Sequence, residues 1–431
     1  MPAGRWVLAG LTAKAAALLC GALLHIAFTG PDWTVLRPVA LLLAVAAAAF
    51  PVPMMWAVIA HAVISRRRAR IIMRVALATL VAGTIAVGAT FAVTSFVERA
   101  HSVEQLSVSP SGRVYAATRA GIFVANPRRR TLRYLRYGWP GTPAAAVVAD
   151  ARNAMLVWAD LGTNHLESRN AGRTWREVAG LPPSENQWSV ARMVSTKGGV
   201  YVTSGWPPDD TLWVNRSGDA GDWEKRPLKL PKIEARGRVR VLPSRMAASS
   251  EHPGLVMLAV EYGVSGIEAG LETWRGALYR TRDFGETWER VSIPLLVEDD
   301  AGEQIDDIAI VPGSPEIVAV ATWWGLLISS DEGRHWRRVK RPEGEHPRVA
   351  GAPTVPPTIY LLVVNRLYAS EDLGLTWRDT RAMGSCIAIS PANPRTIYTG
   401  SLGGGAYRSQ DGGRTWHRLG YSFLPISFPG G

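Results

Sequence analysis

The sequence predicts an all-β seven-bladed β-propeller preceded by an α-helical transmembrane region of three helices. Two observations lead to this fold class. The first hundred of the 431 residues contain three long apolar runs, whereas the remainder repeats a turn-forming pattern about every forty to sixty residues. Four short strands fit in a unit of that length, and such a unit buries its faces only by packing radially against its neighbours. We therefore divide the chain into a membrane region, 1–99, and a propeller, 100–431.

The three apolar runs cover approximately residues 6–28, 38–64 and 75–97. Each is long enough to cross a hydrocarbon core of about 30 Å at about 1.5 Å per helical residue. A cleaved signal peptide would account for the first run but not for the other two. The sequence therefore predicts three membrane-spanning helices, with the lipid bilayer as a partner.

Arginine residues orient these predicted helices. The connection between the second and third runs holds five arginines within 66–74, whereas the first connection holds only Arg37. Short loops rich in Lys and Arg stay in the cytoplasm. The sequence thus predicts a multi-pass protein of the inner (plasma) membrane, with a cytoplasmic N-terminus and a periplasmic or extracellular propeller.

The charge balance gives no support to a nucleic-acid partner. The formal net charge is +12, but residues 1–100 contribute nine Lys or Arg against two Asp or Glu. The propeller sequence is therefore only mildly basic, whereas binding to nucleic acid depends on a strongly basic surface. The two cysteines, Cys20 and Cys386, lie in different parts of the chain, so no disulfide framework is predicted.

The repeated pattern is cleanest at Ser409–Trp416, which reads Ser-Gln-Asp-Gly-Gly-Arg-Thr-Trp. Ser and Asp side chains hydrogen-bond to nearby backbone, and Gly accepts a left-handed conformation, so each copy predicts a tight turn. Short apolar segments flank the turn, which predicts a β-hairpin whose Trp packs inward. Further copies, one with Asn for Asp and one a residue shorter, occupy 168–175, 217–223, 281–288, 329–336 and 370–377.

This pattern resembles the Asp-box (BNR) repeat, Ser-x-Asp-x-Gly-x-Thr-Trp, of β-propeller proteins. Sialidases, sortilin-type receptors, some xyloglucan hydrolases and the photosystem II assembly-factor propellers carry it. Six copies are too many for chance, and the resemblance covers residues from about 100 to 420. It implies that the box is an element of the fold and not of catalysis. The residues that match its Asp and Trp positions are Asn170, Trp175, Asp219, Trp223, Asp283, Trp288, Asp331, Trp336, Asp372, Trp377, Asp411 and Trp416.

The strand pattern indicates seven units. In the seventh unit, strands are predicted at 386–389, 396–399, 405–408 and 417–419, with the box after the third strand. The first unit keeps its apolar strands but has a degenerate box at 126–132. Counting it as a blade gives seven blades, with six or eight as the alternatives.

Seven of the eight tryptophans that lie in the propeller sequence outside the boxes map to one side of the predicted ring, whereas Trp213 falls on a third strand. Loops from the second to the third strand share a face with connections from a fourth strand to the next blade, and the box turns lie on the opposite face. Exposed aromatic rings stack on sugars and anchor protein interfaces, so these residues predict a binding face. The longest loop insertion there is 261–274. The tryptophans are Trp139, Trp158, Trp188, Trp206, Trp274, Trp323 and Trp324.

Acidic residues in the same loops keep a glycoside hydrolase as an alternative function. Glycoside hydrolases use two carboxyl groups that flank the scissile bond, and the candidates are Asp160, Asp209, Asp210 and Glu272. A sialidase is disfavoured, because the sequence lacks the Arg-Ile-Pro motif that resemblance to that family implies near the first blade. The sequence contains no His/Cys cluster with metal-ligand spacing and no phosphate-binding loop, so neither a metal nor a cofactor is predicted.

The sequence therefore favours a membrane-anchored extracytoplasmic propeller that binds a membrane-associated protein or a glycan, as an assembly or scaffold factor. This expectation follows from the resemblance to sortilin-type and assembly-factor propellers more than from any single residue. The alternative is a glycoside hydrolase of the Asp-box propeller type.

Overall fold

The computed structural model describes residues 95–128, 130–135, 142–161, 164–178, 181, 192–196, 199–203, 211–218, 222–232, 238–265, 273–293, 304–313, 316–323, 325–402 and 404–422. The predicted membrane helices at 6–28, 38–64 and 75–97 lie outside this part of the chain, apart from residues 95–97. Among the described residues, no helix is both long enough and apolar enough to span a bilayer. The chain divides into two compact units, Met1–Val97 and Glu98–Gly431, and the second contains the propeller.

Seven β-sheets form the described part of the second unit, and each is a blade built on four antiparallel strands. Blades one to three contain β1 (Val103–Val108), β2 (Val114–Thr118), β3 (Gly121–Ala125), β4 (Thr131–Tyr134), β5 (Ala146–Ala149), β6 (Val157–Asp160), β7 (His165–Ser168), β8 (Arg176–Glu177), β9 (Arg192–Thr196), β10 (Gly199–Thr203), β11 (Thr211–Asn215) and β12 (Glu224–Pro227). Blades four and five contain β13 (Arg238–Ala248), β14 (Val256–Ser265), β15 (Thr273–Thr281), β16 (Glu289–Val291), β17 (Ile305–Val311), β18 (Ile317–Thr322), β19 (Leu326–Ser329) and β20 (Arg337–Val339). Blades six and seven contain β21 (Arg348–Ala352), β22 (Thr358–Val363), β23 (Arg366–Ser370), β24 (Arg378–Met383), β25 (Cys386–Ile389), β26 (Ile397–Ser401), β27 (Gly405–Ser409) and β28 (His417–Arg418), and the last strand is β29 (Gly420–Ser422).

The blades form a closed ring, which confirms the predicted seven-bladed propeller. The first strand of each blade packs against the first strands of both neighbouring blades, and β25 of the seventh blade packs against β1. Polar contacts also join these inner strands, since the Val147 N–H donates to Gln105 Oε1 at 3.1 Å and the Val349 N–H donates to Asp307 Oδ2 at 3.0 Å. The chain therefore enters the ring on an inner strand.

The C-terminal strand completes the ring at the outer edge of the first blade. β29 pairs in parallel with β4, and Gly420 lies opposite Thr131. The Tyr421 ring packs edge-on against Phe123, with 5.4 Å between ring centroids. The fourth strand of the seventh blade ends at Arg418, one residue earlier than the sequence predicts, because the chain then crosses to the first blade.

The ring has two faces with different loops. Each box follows the third strand of a blade and precedes the fourth, so all boxes lie on one side, which we call the box face. Turns between second and third strands, and connections from a fourth strand to the next blade, lie on the opposite side, which we call the loop face. Both β1 and β17 begin at the loop face, because every inner strand starts there.

Hydrophobic clusters lie between successive blades from the first to the seventh. Each cluster includes, or packs against, the box tryptophan of the later blade. Trp288 is buried between the third and fourth blades. Trp377 and Trp416 are half-buried and close the clusters of the sixth and seventh blades at the box face. The boxes thus tie each blade to the one before it.

The box turn of the sixth blade shows why Ser, Asp, Gly and Thr recur. Ser370 Oγ donates to Asp372 Oδ1 at 2.7 Å, Thr376 N–H donates to the same oxygen at 2.9 Å, and Thr376 Oγ1 donates to Oδ2 at 2.6 Å. The Gly374 N–H donates to Ser370 Oγ at 2.7 Å. Gly374 has φ of +86°, and a Cβ there would lie 2.7 Å from Val339 Cγ2 of the preceding blade, so the turn requires glycine.

Arginines also reach from one blade to the turn of the next. Arg378 of the sixth blade donates to the Gly412 carbonyl oxygen in the seventh box at 2.9 Å. Arg408 of the seventh blade donates to the Pro127 carbonyl oxygen, in the degenerate turn of the first blade, at 2.6 Å. The degenerate turn therefore keeps the same contact with its neighbour as an intact box.

We predict that Trp288→Ala lowers the free energy of unfolding by about 3–5 kcal/mol, because it empties a buried interblade site. Trp416→Ala should cost less, because that ring is half-exposed. Asp411→Ala should cost roughly 1–2 kcal/mol through lost hydrogen bonds in its turn. Denaturant unfolding of the full chain in detergent measures these values, and Leu375→Ala, an exposed box-face substitution, is the control. Equal effects of Trp288→Ala and Leu375→Ala would contradict the packing described above.

We also predict a loss of stability in acid through Asp372. Hydrogen bonds from Thr376 and Ser370 lower the pKa of this carboxyl from 3.8 to about 2. A folded-state pKa below the unfolded value means that the ionised form stabilises the fold, so this contribution is present above pH about 4 and is lost as pH falls towards 2. Thermal unfolding at several pH values should show a smaller drop over that range in Asp372→Asn than in the wild type. Parallel curves would show that Asp372 does not contribute.

Candidate functional site

Two of the predicted face tryptophans have described side chains, and their positions differ. Trp158 lies within β6 and is fully buried, with its ring edge-on to Trp223 at 5.1 Å between centroids. The placement of Trp158 on an exposed face is therefore wrong, because adjacent blades cover both sides of a second strand. Trp323 lies on the loop face between β18 and β19, and 42% of it is exposed. Trp274 lies in β15, and the residues outside the described part of the chain are Trp139, Trp188, Trp206 and Trp324.

Of the candidate catalytic carboxylates, the structure describes only Asp160. It ends β6, is fully buried, and pairs across the sheet with His165, whose Nδ1 lies 4.0 Å from Asp160 Oδ1. A sugar arriving from solvent cannot touch a fully buried carboxylate, so Asp160 is not a catalytic residue. Asp209, Asp210 and Glu272 lie outside the described residues.

The predicted loop insertion at 261–274 is partly strand. β14 continues to Ser265 and β15 begins at Thr273, with Gly263 opposite Trp274. The insertion therefore lengthens the second and third strands of the fourth blade, so that this hairpin extends beyond the loop face.

Charged side chains meet on the inner strands of the fourth, fifth and sixth blades. Arg245 Nε on β13 lies 4.0 Å from Asp307 Oδ1 on β17, while Asp307 Oδ2 accepts the Val349 N–H from β21. Burial raises the pKa of the Asp307 carboxyl, and the charges of Arg348 and Arg245 oppose that rise. Asp307 thus links the inner strands β13, β17 and β21.

Asp306, beside it, has a different environment. His346 Nδ1 lies 3.4 Å from Asp306 Oδ1, and the His346 ring packs edge-on against Trp323 with 5.8 Å between centroids. Asp306 Oδ2 is buried and has no hydrogen-bond partner in the described part of the chain. Burial raises the pKa of the Asp306 carboxyl, against the opposing effects of His346, Arg245 and Arg341. We call Asp306, His346, Trp323, Arg341 and Arg245 the mouth cluster.

The loop that presents Trp323 is held by hydrogen bonds. Arg341, which is buried, donates to the carbonyl oxygens of Thr322, at 3.2 Å, and Trp323. The Gly325 N–H donates to Thr322 Oγ1 at 3.1 Å, and Thr322 Oγ1 donates to the Gly325 carbonyl oxygen at 3.0 Å. These hydrogen bonds hold the backbone on both sides of the exposed indole, whose ring packs against His346.

Sequence reasoning missed Asp306, His346 and Arg341. The two adjacent aspartates before the apolar run that begins at Ile308 were a usable signal, because they lie in the inner strand β17 and all inner strands converge at the axis of the ring. The contact between Asp306 and His346 joins residues 40 positions apart in different blades, and no local pattern reveals it. Within the described segments, no three His, Cys, Asp or Glu side chains are grouped so that they could hold a metal ion.

Comparison with known proteins gives a partial sequence match and a broad structural match. The BNR/Asp-box repeat model matches residues 407–418. The xyloglucanase Xgh74A of Acetivibrio thermocellus is 32% identical over 162 residues, which cover 35% of this chain and 17% of that protein. A GH74 xyloglucanase structure from Xanthomonas campestris aligns with 77% of this chain and 62% of its own, at 16% identity and a TM-score of 0.47. A chain of the mitotic checkpoint complex aligns with 71% of this chain and 89% of its own, at 13% identity and a TM-score of 0.50.

These similarities differ in what they support. Structural likeness at such low identity shows the fold alone, and propellers serve many unrelated functions. The chain spans only 17% of the length of the matched xyloglucanase. That sequence match nevertheless favours the glycoside hydrolase alternative over a binding scaffold.

Proposed function

We propose that the propeller is a glycoside hydrolase that binds a xyloglucan-like polysaccharide on its loop face, at the mouth cluster. The observation that carries this proposal is the placement of the exposed Trp323 ring next to the His346–Asp306 pair. The partial similarity to a xyloglucanase supports the same chemistry.

Trp323 would bind the sugar. The flat indole offers a large apolar surface to the C–H face of a pyranose ring, and hydrogen bonds to Thr322 hold the backbone next to it. A rigid aromatic side chain loses little conformational entropy on binding, so a preformed platform improves affinity. Trp323 would thereby place a glycosidic oxygen near the start of β17.

Asp306 would serve as the general acid. A glycosidase acid must still carry its proton at the working pH, and the burial of Asp306 raises its pKa in the required direction. In the acid step, the Asp306 proton passes to the glycosidic oxygen as the bond from that oxygen to the anomeric carbon breaks. His346, which contacts the same carboxyl, would orient it and stabilise the carboxylate that forms.

Hydrolysis also needs a second carboxylate across the scissile bond. Asp209, Asp210 and Glu272 are proposed for this role, since they are the remaining candidates from loop-face connections of the third and fourth blades.

A second candidate function is glycan or protein binding without hydrolysis, as for an assembly or scaffold factor. The specific observation in its favour is that His346 contacts Asp306, while burial raises the pKa of that carboxyl and the positive charges of Arg245 and Arg341 lower it. Such a mixed, fixed set of charges beside an aromatic anchor also suits a binding surface.

We predict that the full chain in detergent releases reducing ends from xyloglucan and that Asp306→Asn lowers kcat roughly 10²–10⁴-fold with little change in KM. Trp323→Ala should raise KM about tenfold, equivalent to about 1.4 kcal/mol of lost stacking. Wild-type kcat/KM should fall as pH rises through the raised pKa of Asp306, since a general acid must be protonated. Leu375→Ala, on the box face, is the matched control and should leave both constants unchanged.

Other outcomes distinguish the two candidate functions, hydrolysis and binding without hydrolysis. Xyloglucan binding that depends on Trp323, with no release of reducing ends, would replace the hydrolase with the binding protein. Full activity in Asp306→Asn would show that another residue is the acid. If the chain neither binds nor hydrolyses xyloglucan, the proposed function is wrong.

A further inference from the structure

Positive charge is unevenly distributed around the ring. Residues 98–142 and 384–431 include the strands of the first and seventh blades, which meet where the ring closes, and they contain twelve arginines against three acidic residues. Residues 143–383, which include the other five blades, contain 28 Lys or Arg against 32 Asp or Glu. The first and seventh blades therefore carry a formal net charge of +9, whereas the rest of the propeller carries −4.

Three of these arginines are exposed on the box face. Arg128 and Arg130 lie in the degenerate turn between β3 and β4, and Arg395 lies in the turn between β25 and β26. That turn is on the box face because it follows an inner strand, which begins at the loop face. Within the described part of the chain, none of the three guanidinium groups has a hydrogen bond or an ion pair. We call Arg128, Arg130 and Arg395 the arginine patch.

Contacts between neighbouring turns join the patch into one surface. The Arg395 carbonyl oxygen accepts the Gly412 N–H from the box of the seventh blade at 2.9 Å. Arg408, on the strand that leads into this box, donates to the carbonyl oxygen of Pro127, in the degenerate turn, at 2.6 Å. The three arginines thus lie on either side of the seventh box, on turns that are held together where the two blades pack.

The degenerate turn does not need its arginine side chains to keep its shape. When Thr131 is aligned with the box threonine, Pro127 occupies the position of the box Asp. The turn is held instead by the Arg128 N–H, which donates to Asn126 Oδ1 at 3.1 Å, and by the Arg130 carbonyl oxygen, which accepts the Gly420 N–H at 2.7 Å. Like charges close together repel one another, so the fold gains nothing from these guanidinium groups.

The fifth box shows how charge is balanced elsewhere on the box face. Arg334 occupies the position that Arg130 has in the degenerate turn, but its own turn contains Asp331 and Glu332. Glu332 also pairs with Arg282 of the fourth box, with 2.6 Å between the charged groups. The degenerate turn contains no acidic residue, so its positive charge is available to an anion from outside the chain.

We propose that the arginine patch binds an acidic polysaccharide through the carboxylate groups of its sugars. A planar guanidinium group can donate two parallel hydrogen bonds to one carboxylate, and it keeps its charge at any physiological pH. Exposed amide side chains in the same turns offer donors and acceptors to sugar hydroxyl groups. These amides are Asn126, Asn393 and Gln410.

The composition of the turns favours a glycan over other polyanions. Residues 126–130, 391–395 and 410–415 include no aromatic residue and no large aliphatic one. Proteins that bind single-stranded nucleic acid stack its bases on aromatic rings, and protein interfaces are anchored by large aromatic or apolar side chains. Carboxylates and hydroxyl groups, which an acidic polysaccharide supplies together, match what these turns present.

The test measures fluorescence anisotropy of labelled polygalacturonate with the full chain in detergent. The matched ligand is the methyl ester of the same polymer, which keeps the sugar rings but has no carboxylate charge. We expect saturable binding of polygalacturonate that weakens as salt is added, because exposed charges are screened. The methyl ester, polyglutamate and single-stranded DNA should bind at least about tenfold more weakly, equivalent to about 1.4 kcal/mol.

Substitutions then locate the binding site. Arg128→Gln with Arg130→Gln and Arg395→Gln should raise the Kd for polygalacturonate about tenfold, since each exposed ion pair contributes only modestly. Arg334→Gln, the equivalent exposed arginine of the fifth box, is the matched control and should leave the Kd unchanged. Thermal unfolding of the triple variant should match that of the wild type, because the three guanidinium groups make no contact that holds the fold.

Three results would overturn the proposal: no binding of polygalacturonate, an unchanged Kd in the triple variant, or equally tight binding of polyglutamate or DNA. The proposal does not rest on the hydrolase activity, because the patch and the mouth cluster lie on opposite faces. The triple variant should therefore hydrolyse xyloglucan normally, and Trp323→Ala should bind polygalacturonate normally. Polygalacturonate binding by a chain without hydrolase activity would refute only the proposed function, whereas hydrolysis without such binding would refute only the arginine patch.

Discussion

The box turn is the contact on which the ring depends. Its carboxylate accepts hydrogen bonds from the turn's own Ser and Thr, which fixes a left-handed backbone that places Gly against the preceding blade. The Trp that ends the turn closes the hydrophobic cluster between the two blades. An arginine of the earlier blade binds the turn's carbonyl oxygens, as Arg378 does with Gly412. One short motif thus gives each blade its hairpin, its packing and its link to a neighbour.

Because the boxes occupy one face, the opposite face is free to vary. Its connections differ in length from blade to blade, from the tight turn at Val364–Asn365 to the long hairpin of the fourth blade. Inner strands start there, so charged residues at their first positions converge without being close in sequence. Asp306 and His346 meet in this way, and the Trp323 ring packs against His346. The fold therefore supplies a stable support on one side and a candidate site on the other.

The propeller architecture can be predicted from the sequence because the turn residues and the strand alternation that specify it are local patterns. The box copies locate third and fourth strands, and even Asn170 replaces the carboxylate with an amide that accepts the Thr174 N–H. Side-chain exposure depends on neighbours that local patterns do not show. Trp158 and Asp160 were therefore expected on a loop, whereas the adjacent blades bury them. The pairing of Asp306 with His346 was missed for the same reason, since it forms only when two blades pack.

The proposed function requires that a glycan binds at the mouth cluster. The most direct measurement is amide hydrogen exchange of the full chain in detergent, with and without a xyloglucan oligosaccharide. A glycan bound at the mouth cluster should slow exchange in the segment around Trp323 and in the segment around His346, with no change in the box turns. Slower exchange at the box turns alone, or no change anywhere at saturating oligosaccharide, would contradict it.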